Sequence, residues 1–261
     1  MPSPWDDKQH PEQKSKFHGR KDHDHGPHEH GMGGKVPPGH NKPAAEDPDA
    51  SGDVPEGALV DVDGQPLAGL TTYPSSLYIH HAPPVSNQGM SSRCVTHASA
   101  SDQQQQDRPE YGKYFRPDFG KFAARIGTTS SGAFISVANE ERINRGFPED
   151  DATPHAGGHR IKRAIELEQT VNALKAAFAH DHGVLNLFPW FHSWYHPLAS
   201  GKLPAPDYFV GYHEIYGRGY NDNYGIRLRN SWGIDWGIAG DCFLPYAHIW
   251  RAVIIHRTVD V

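Results

Sequence analysis

Between residues 164 and 180 the apolar positions Leu167, Val171, Leu174 and Phe178 fall four, three and four residues apart. That spacing lines one face of a 3.6-residue helix and predicts a helix over 164–180. The apolar run at 183–188 (GVLNLF) predicts a strand, and the aromatic residues Phe188, Trp190, Phe191, Trp194 and Tyr195 cluster after it. Packed core at a lobe interface is the simplest role for that cluster. From Tyr208 onward the pattern becomes short alternating runs separated by Gly and Asn-Asp, predicting strands at 208–212, 215–219, 224–229, 241–245 and 252–257. Upstream, 94–106 has helix potential and should stop before Pro109. Residues 117–126 and 133–146 are further helical segments, the second closing at Arg145-Gly146. Residues 70–85 read as extended and Pro-punctuated, and 58–67 as a short hairpin about Asp63-Gly64. Helices precede strands, which predicts an α+β chain of two lobes.

Composition divides the chain. The first 50 residues hold eight apolar residues, eight Pro and six Gly, whereas the whole chain is 36% hydrophobic. Such a segment buries too little apolar surface to offset the entropy of ordering it. Residues 1–53 are therefore expected to be a disordered, low-complexity tail, and residues 54–261 one large folded domain. The tail carries His23, His25, His28 and His30. Imidazoles at that density bind metal ions weakly, and a solvated tail with no specific role is the plainer reading.

Charge and cysteine content exclude other classes. No apolar run approaches the roughly 20 residues that span a bilayer, and the N-terminus has no apolar core of a signal peptide. No membrane association is expected. A net charge of -6 argues against a nucleic-acid-binding surface. Two cysteines, Cys94 and Cys242, make neither a disulfide framework nor a zinc knuckle. A reducing compartment, cytoplasmic or virion-associated, and a microbial or viral source fit this usage. No cofactor is implied.

Three segments carry chemistry. The first runs from Pro84 to Cys94 (PVSNQGMSSRC), the second is GYHEI at 211–215 followed by Gly219-Tyr220, and the third is NSWGIDWG at 230–237. A thiol is nucleophilic as thiolate, which a helix N-terminus and a neighbouring imidazolium both favour. Cys94 lies between a Gly- and Ser-rich loop and a helical stretch. His213 lies on a strand in the other half of the chain. The amide of Asn230 has the chemistry to hold the second imidazole nitrogen, with Trp232 screening that bond from water. The amide of Gln88, with the backbone N–H of Cys94, suits an oxyanion. Nucleophile, base, orienter and oxyanion donor are all present.

On these residues the chain resembles the papain-like (C1 family) cysteine peptidases of microbial or phage type. Asn87-Gln88-Gly89 followed by Cys94 matches the family's N-Q-G-x-C-G-S-C stretch, and His213 with Gly219-Tyr220 matches H-A-V-x-x-V-G-Y. NSWGIDWG matches N-S-W-G-x-x-W-G at every fixed position and is the most specific signal. His213 lies 119 residues after Cys94 and Asn230 lies 136 after it. The first gap falls slightly short of the family's roughly 130–150 residues, as trimmed loops would make it. The segment LKAAFAHDHGVLNLFPWFHSW resembles the part preceding the histidine in microbial members. The resemblance spans about residues 70–255.

The resemblance implies a helical left lobe opening on the cysteine helix, a β-barrel-like right lobe bearing His and Asn, and a peptide or protein substrate in the cleft between them. It implies a hydrolase acting through a thioester, with Cys94 as nucleophile, His213 as general acid and base, Asn230 as orienter and Gln88 as oxyanion donor. Trp232 and Gly211 then belong to the substrate-facing wall. Departures from the pattern are Ser91 for the family's second cysteine, Ser92 for its Gly, Arg93 before the nucleophile and Val95 for the Trp after it. Loss of the disulfide fits a reducing environment. Glu214 replaces a small residue and is expected to add negative charge near the imidazole. The tail lacks the long amphipathic helix with which family propeptides plug the cleft, so inhibition in that manner is not expected. Cys242 and His97 read as packed core groups, His180 and His182 as capping or solvated, and Gln103–Gln106 as a polar helix face. A papain-fold binding or assembly module without hydrolytic activity is the alternative, and amine-directed acyl transfer by the same groups a third reading.

Overall fold

The computed structural model describes residues 34–35, 73–150 and 158–260. The anticipated hairpin at 58–67, the histidines at 23–30 and the boundary at 53/54 fall outside them. The first helix, α1 (Cys94–Tyr111), starts at the candidate nucleophile. It continues through Pro109 instead of stopping before it. Proline in a final turn costs one backbone hydrogen bond. Gly112, at φ 68°, then closes the helix by donating its N–H to the Arg108 carbonyl at 3.0 Å. Helix α2 (Phe119–Arg125) is capped by Asp118, whose Oδ1 accepts from the Lys121 N–H at 2.8 Å. A two-residue strand, Ala133–Phe134, leads into α3 (Ile135–Asn144). Phe115, Phe122 and Phe147 pack among these helices, the last two stacked at 4.1 Å.

The second half is a seven-stranded antiparallel sheet. Its strands are β2 (Ser76–Tyr78), β4 (Ile161–Glu166), β5 (Val184–Phe191), β6 (Phe209–Asn221), β7 (Gly225–Arg229), β8 (Asp241–Leu244) and β9 (Ile254–Asp260), with Gly34–Lys35 and Ala133–Phe134 numbered β1 and β3. The order is β4-β9-β5-β6-β7-β8, with β2 added on β6. The helix predicted over 164–180 is corrected here. Residues up to Glu166 pair with β9, Ala164 opposite Thr258, and helix α4 covers only Val171–Ala179. Thr170 decides the boundary: its Oγ1 accepts from the Ala173 N–H at 3.2 Å, capping the helix there. Leu167 fits either pattern and packs on the core from just outside the helix.

The two strands predicted at 208–212 and 215–219 are one 13-residue strand, β6. It stays continuous because β5, β7 and β2 all pair along it. At Gly219 (φ 145°) an added Cβ would stand 2.4 Å from the Leu77 carbonyl oxygen, so the crossing of β2 requires glycine. Strand β5 runs through Pro189 and Trp190. It pairs with β9 only over Leu185–Leu187, so the proline lies beyond that ladder.

Helix α1 packs against β6, β5 and β9, and it does so with polar side chains. Gln103, Gln104 and Gln105 of the polar helix face are buried. Their amides reach Asp107 Oδ1, the Phe115 carbonyl and the Asp181 carbonyl at 2.8, 2.9 and 3.0 Å. Arg142 of α3 donates to Asp102 at 2.7 Å and to Gln103 at 3.1 and 3.0 Å. Thr258 of β9 donates to Asp102 at 2.5 Å, joining the helices to the sheet. A low-hydropathy helix can thus be a central one, because long side chains carry their partners with them.

His97 and His159 are buried in opposite senses. His97 stacks on Phe119 at 4.1 Å and meets Ser86 Oγ at 2.9 Å, the packed role expected of it. Burial, with the Arg93 charge, lowers its pKa to about 3. The native state therefore refuses a proton that the unfolded chain accepts near 6.5. Its contribution is fully present above pH 6.5 and is lost, at up to about 1.4 kcal/mol per unit, as pH falls toward 3. Burial opposes protonation of His159 too, but Asp107 and Glu149 raise its pKa, giving the opposite trend. The urea midpoint of His97→Phe should accordingly fall less than that of the wild type between pH 6.5 and 4. Parallel pH profiles would contradict this.

Candidate active site

The three motifs meet through backbone pairing between loops far apart in sequence. The Gln88 N–H donates to the Ser231 carbonyl at 2.8 Å, and the Gly233 N–H to the Ser86 carbonyl at 3.0 Å. Ser231 Oγ donates to Gln88 Oε1 at 2.5 Å, and Gln88 Nε2 donates to the Ser91 carbonyl at 2.6 Å. The Gln88 amide plane is therefore fixed from both ends, and it lies at the turn that delivers Cys94. Asn87 shapes that turn, its Oδ1 accepting from the Gly89 N–H at 2.8 Å. Cys94 is the first residue of α1 and fully buried. A side chain there feels the partial positive charge of the helix start.

His213 sits midway along β6, fully buried. Its Nε2–H donates to Asn230 Oδ1 at 2.8 Å, and the same oxygen accepts from the Ser231 N–H at 2.8 Å. Trp232 lies 4.8 Å from the imidazole at 33°, and Trp190 lies 4.8 Å away at 69°. Tyr195 stacks on Trp232 at 5.3 Å, and Trp236 meets its edge at 5.2 Å. The His213–Asn230 bond is therefore enclosed by indole and phenol rings, where low polarity strengthens it. Gly211 stands two residues before His213 on β6, opposite Trp190.

Several neighbours were not legible in sequence, or were misread. Trp190, Tyr195 and Trp236 form this enclosure, and Ser231 holds Gln88. Within the aromatic run and NSWG these residues carry no sign of which ring they cover. Glu214 is corrected. It alternates to the other face of β6 from His213, is buried, and burial together with Asp102 raises its pKa well above the usual carboxylate range. A carboxyl whose ionisation burial opposes, on the opposite face of the strand, does not place negative charge beside the imidazole. Cys242 is fully buried, and burial pushes its thiol well up, leaving it no thiolate at neutral pH.

Strand β1 also reaches this region. Gly34–Lys35 pairs in parallel with Ala133–Phe134 of the helical half. A Cβ on Gly34 would stand 2.2 Å from Leu187 Cδ1 and 3.4 Å from the carbonyl of Tyr212, the residue before His213. A side chain here would require Leu187 to move, and the contact of this segment with the helical half is a strand pairing. Among the described residues no group of three or more His, Cys, Asp or Glu is placed to hold a metal ion, and no helix is long and apolar enough to cross a membrane.

Solved structures share this architecture. The cysteine protease xylellain from Xylella fastidiosa superposes with a TM-score of 0.64 at 20% identity, over 74% of this chain and 88% of its own. ProCathepsin B from Trypanosoma congolense gives 0.60 at 13% identity, over 73% and 79%. The Carica candamarcensis cysteine protease CMS1MS2, in complex with E-64, gives 0.56 at 17% identity, over 72% and 100%. No protein-family profile matches the sequence, and no curated protein matches it. The chain has the papain-like two-lobe α+β fold of the cysteine proteases.

Proposed function

We propose that the protein is a cysteine peptidase that hydrolyses peptide bonds through a thioester on Cys94. The observation that carries this is the bond between His213 Nε2 and Asn230 Oδ1, sealed by Trp232 and Trp190 and tied by Ser231 to the loop that delivers Cys94. With Nε2 committed to Asn230, Nδ1 is the ring atom that exchanges the proton. Cys94 Sγ gives its proton to Nδ1 and attacks the scissile carbonyl carbon. The carbonyl π electrons move to oxygen, where the Cys94 N–H and the Gln88 amide stabilise the charge. Collapse breaks the C–N bond, and the imidazolium protonates the departing amine. Water, deprotonated by His213, then attacks the thioester, releasing the acid and the Cys94 thiolate, which His213 reprotonates.

Trp232 shields the orienting bond in this scheme, and backbone near Gly211 forms part of the wall that meets a peptide or protein substrate. A binding module needs no such bond, since it transfers no proton. The test is hydrolysis of a fluorogenic peptide library by reduced full-length protein, followed by titration with an epoxysuccinyl inhibitor. Turnover that stops at one equivalent, with the adduct on Cys94 and none on Cys242, is expected. Protein that neither cleaves nor takes the label would favour the binding module. Peptide conjugates formed with an added amine in place of acid would favour acyl transfer.

A further inference from the structure

Behind the Trp232 loop lies a cavity of about 740 Å³ that Cys94, His213 and Asn230 do not line. Its wall carries three guanidinium groups, Arg218 from β6 and Arg227 and Arg229 from β7. All three converge on one buried carboxylate, Asp241 of β8. Arg218 Nη1 and Arg227 Nε donate to its Oδ2 at 2.7 and 2.8 Å, and Arg229 Nε donates to its Oδ1 at 2.8 Å. Arg229 also donates through Nη2 to Oδ2 at 3.3 Å and through Nη1 to the Pro83 carbonyl. These bonds use five of the roughly fifteen N–H donors that three guanidiniums present. Asp235, at the exposed rim, is the other acid on the wall.

Three positive charges around one interior carboxylate leave an excess that folding must accommodate. The Arg218 side chain is only 4% exposed, yet its Nε has no hydrogen-bond partner among the described residues. A buried guanidinium N–H without an acceptor is costly to the fold. Burial opposes ionisation of Asp241, but Arg229, Arg218 and Arg227 still hold it below the usual carboxylate range. Burial, with repulsion from Arg229 and Arg227, brings Arg218 down to about 10. The site therefore lacks negative charge and acceptor oxygens. A phosphoryl group has both, and guanidinium forks match its geometry. The apolar part of the wall includes Pro83, Val85 and Ile234.

We infer that this cavity is a binding site for a phosphoryl anion, either free phosphate or the phosphate of a small organic monoester, held by Arg218, Arg227 and Arg229. Isothermal titration of full-length protein with inorganic phosphate and with phenyl phosphate tests this, at ionic strength held constant with sodium chloride. Saturable binding with a dissociation constant at or below about 1 mM is expected. Arg227→Gln should weaken it at least tenfold, while the melting temperature in phosphate-free buffer stays near that of the wild type. Arg227 is the most exposed of the three, which makes it the variant best able to fold. Arg229→Lys, which keeps the charge but loses the fork, should weaken binding as well and serves as the second variant. Tighter binding of phenyl phosphate identifies an organic monoester as the ligand, and equal binding identifies free phosphate. No saturation below 10 mM, or the same affinity in wild type and both variants, would overturn the site.

Discussion

Cys94→Ala should lower kcat/KM for peptide hydrolysis by about 10⁴-fold or more, which is the scale on which removing a nucleophile disables a catalytic unit. That corresponds to roughly 5.5 kcal/mol of lost transition-state stabilisation. The variant should remain folded, because it deletes one sulfur atom from a helix start whose loop is held by Gln88, Ser91 and Ser231. Cys242→Ala is the matched control. Its thiol is equally buried but sits in β8 with its pKa pushed up, so kcat/KM should stay within about twofold of the wild type. Steady-state kinetics on the two variants decide the matter. Retained turnover in Cys94→Ala would remove the thioester from the mechanism.

Arg142→Ala should destabilise the fold by about 3–5 kcal/mol, the cost of leaving a buried charge without its partner. Arg142 is fully buried and its guanidinium pairs with Asp102 at 2.7 Å. Asp102 also accepts from Gln106 at 3.0 Å and from Thr258 at 2.5 Å. Loss of the arginine therefore leaves the Asp102 carboxylate without its counter-charge at the junction of α1, α3 and β9, where it already opposes ionisation of Glu214. Urea denaturation measures the loss. Replacing both partners, as Arg142→Met with Asp102→Leu, should recover a large part of it, because no charge then remains to desolvate. A single-variant loss below 1 kcal/mol would show that the pair is not what joins the helices to the sheet.

The candidate catalytic set could be read in the sequence because chemistry restricts such a set to a few residue types at characteristic spacings. Cys94, Gln88, His213 and Asn230 could be named as candidates with no coordinates, and the α+β two-lobe fold followed from the order of helices and strands, its papain-like form from the resemblance. What could not be read is long-range. Residues 164–166 look helical by period and belong to a strand because β9 lies beside them. Strand β6 looks like two strands until three neighbours pair along it. The glutamines of α1 read only as a polar helix face until α3 and the sheet supply their partners, and Glu214 looks charged until burial raises its pKa. The arginine cavity escaped notice for the same reason, since Arg218, Arg227, Arg229 and Asp241 come from three strands that only pairing assembles.

The central claim is an acyl-enzyme on Cys94, and rapid-quench intact-mass spectrometry of the reduced protein with a peptide ester tests it most directly. The account predicts that one acyl group is added within the first turnover, maps to the peptide containing Cys94 and disappears in Cys94→Ala. Ester turnover with no adduct on Cys94, or with the adduct on another residue, would contradict it.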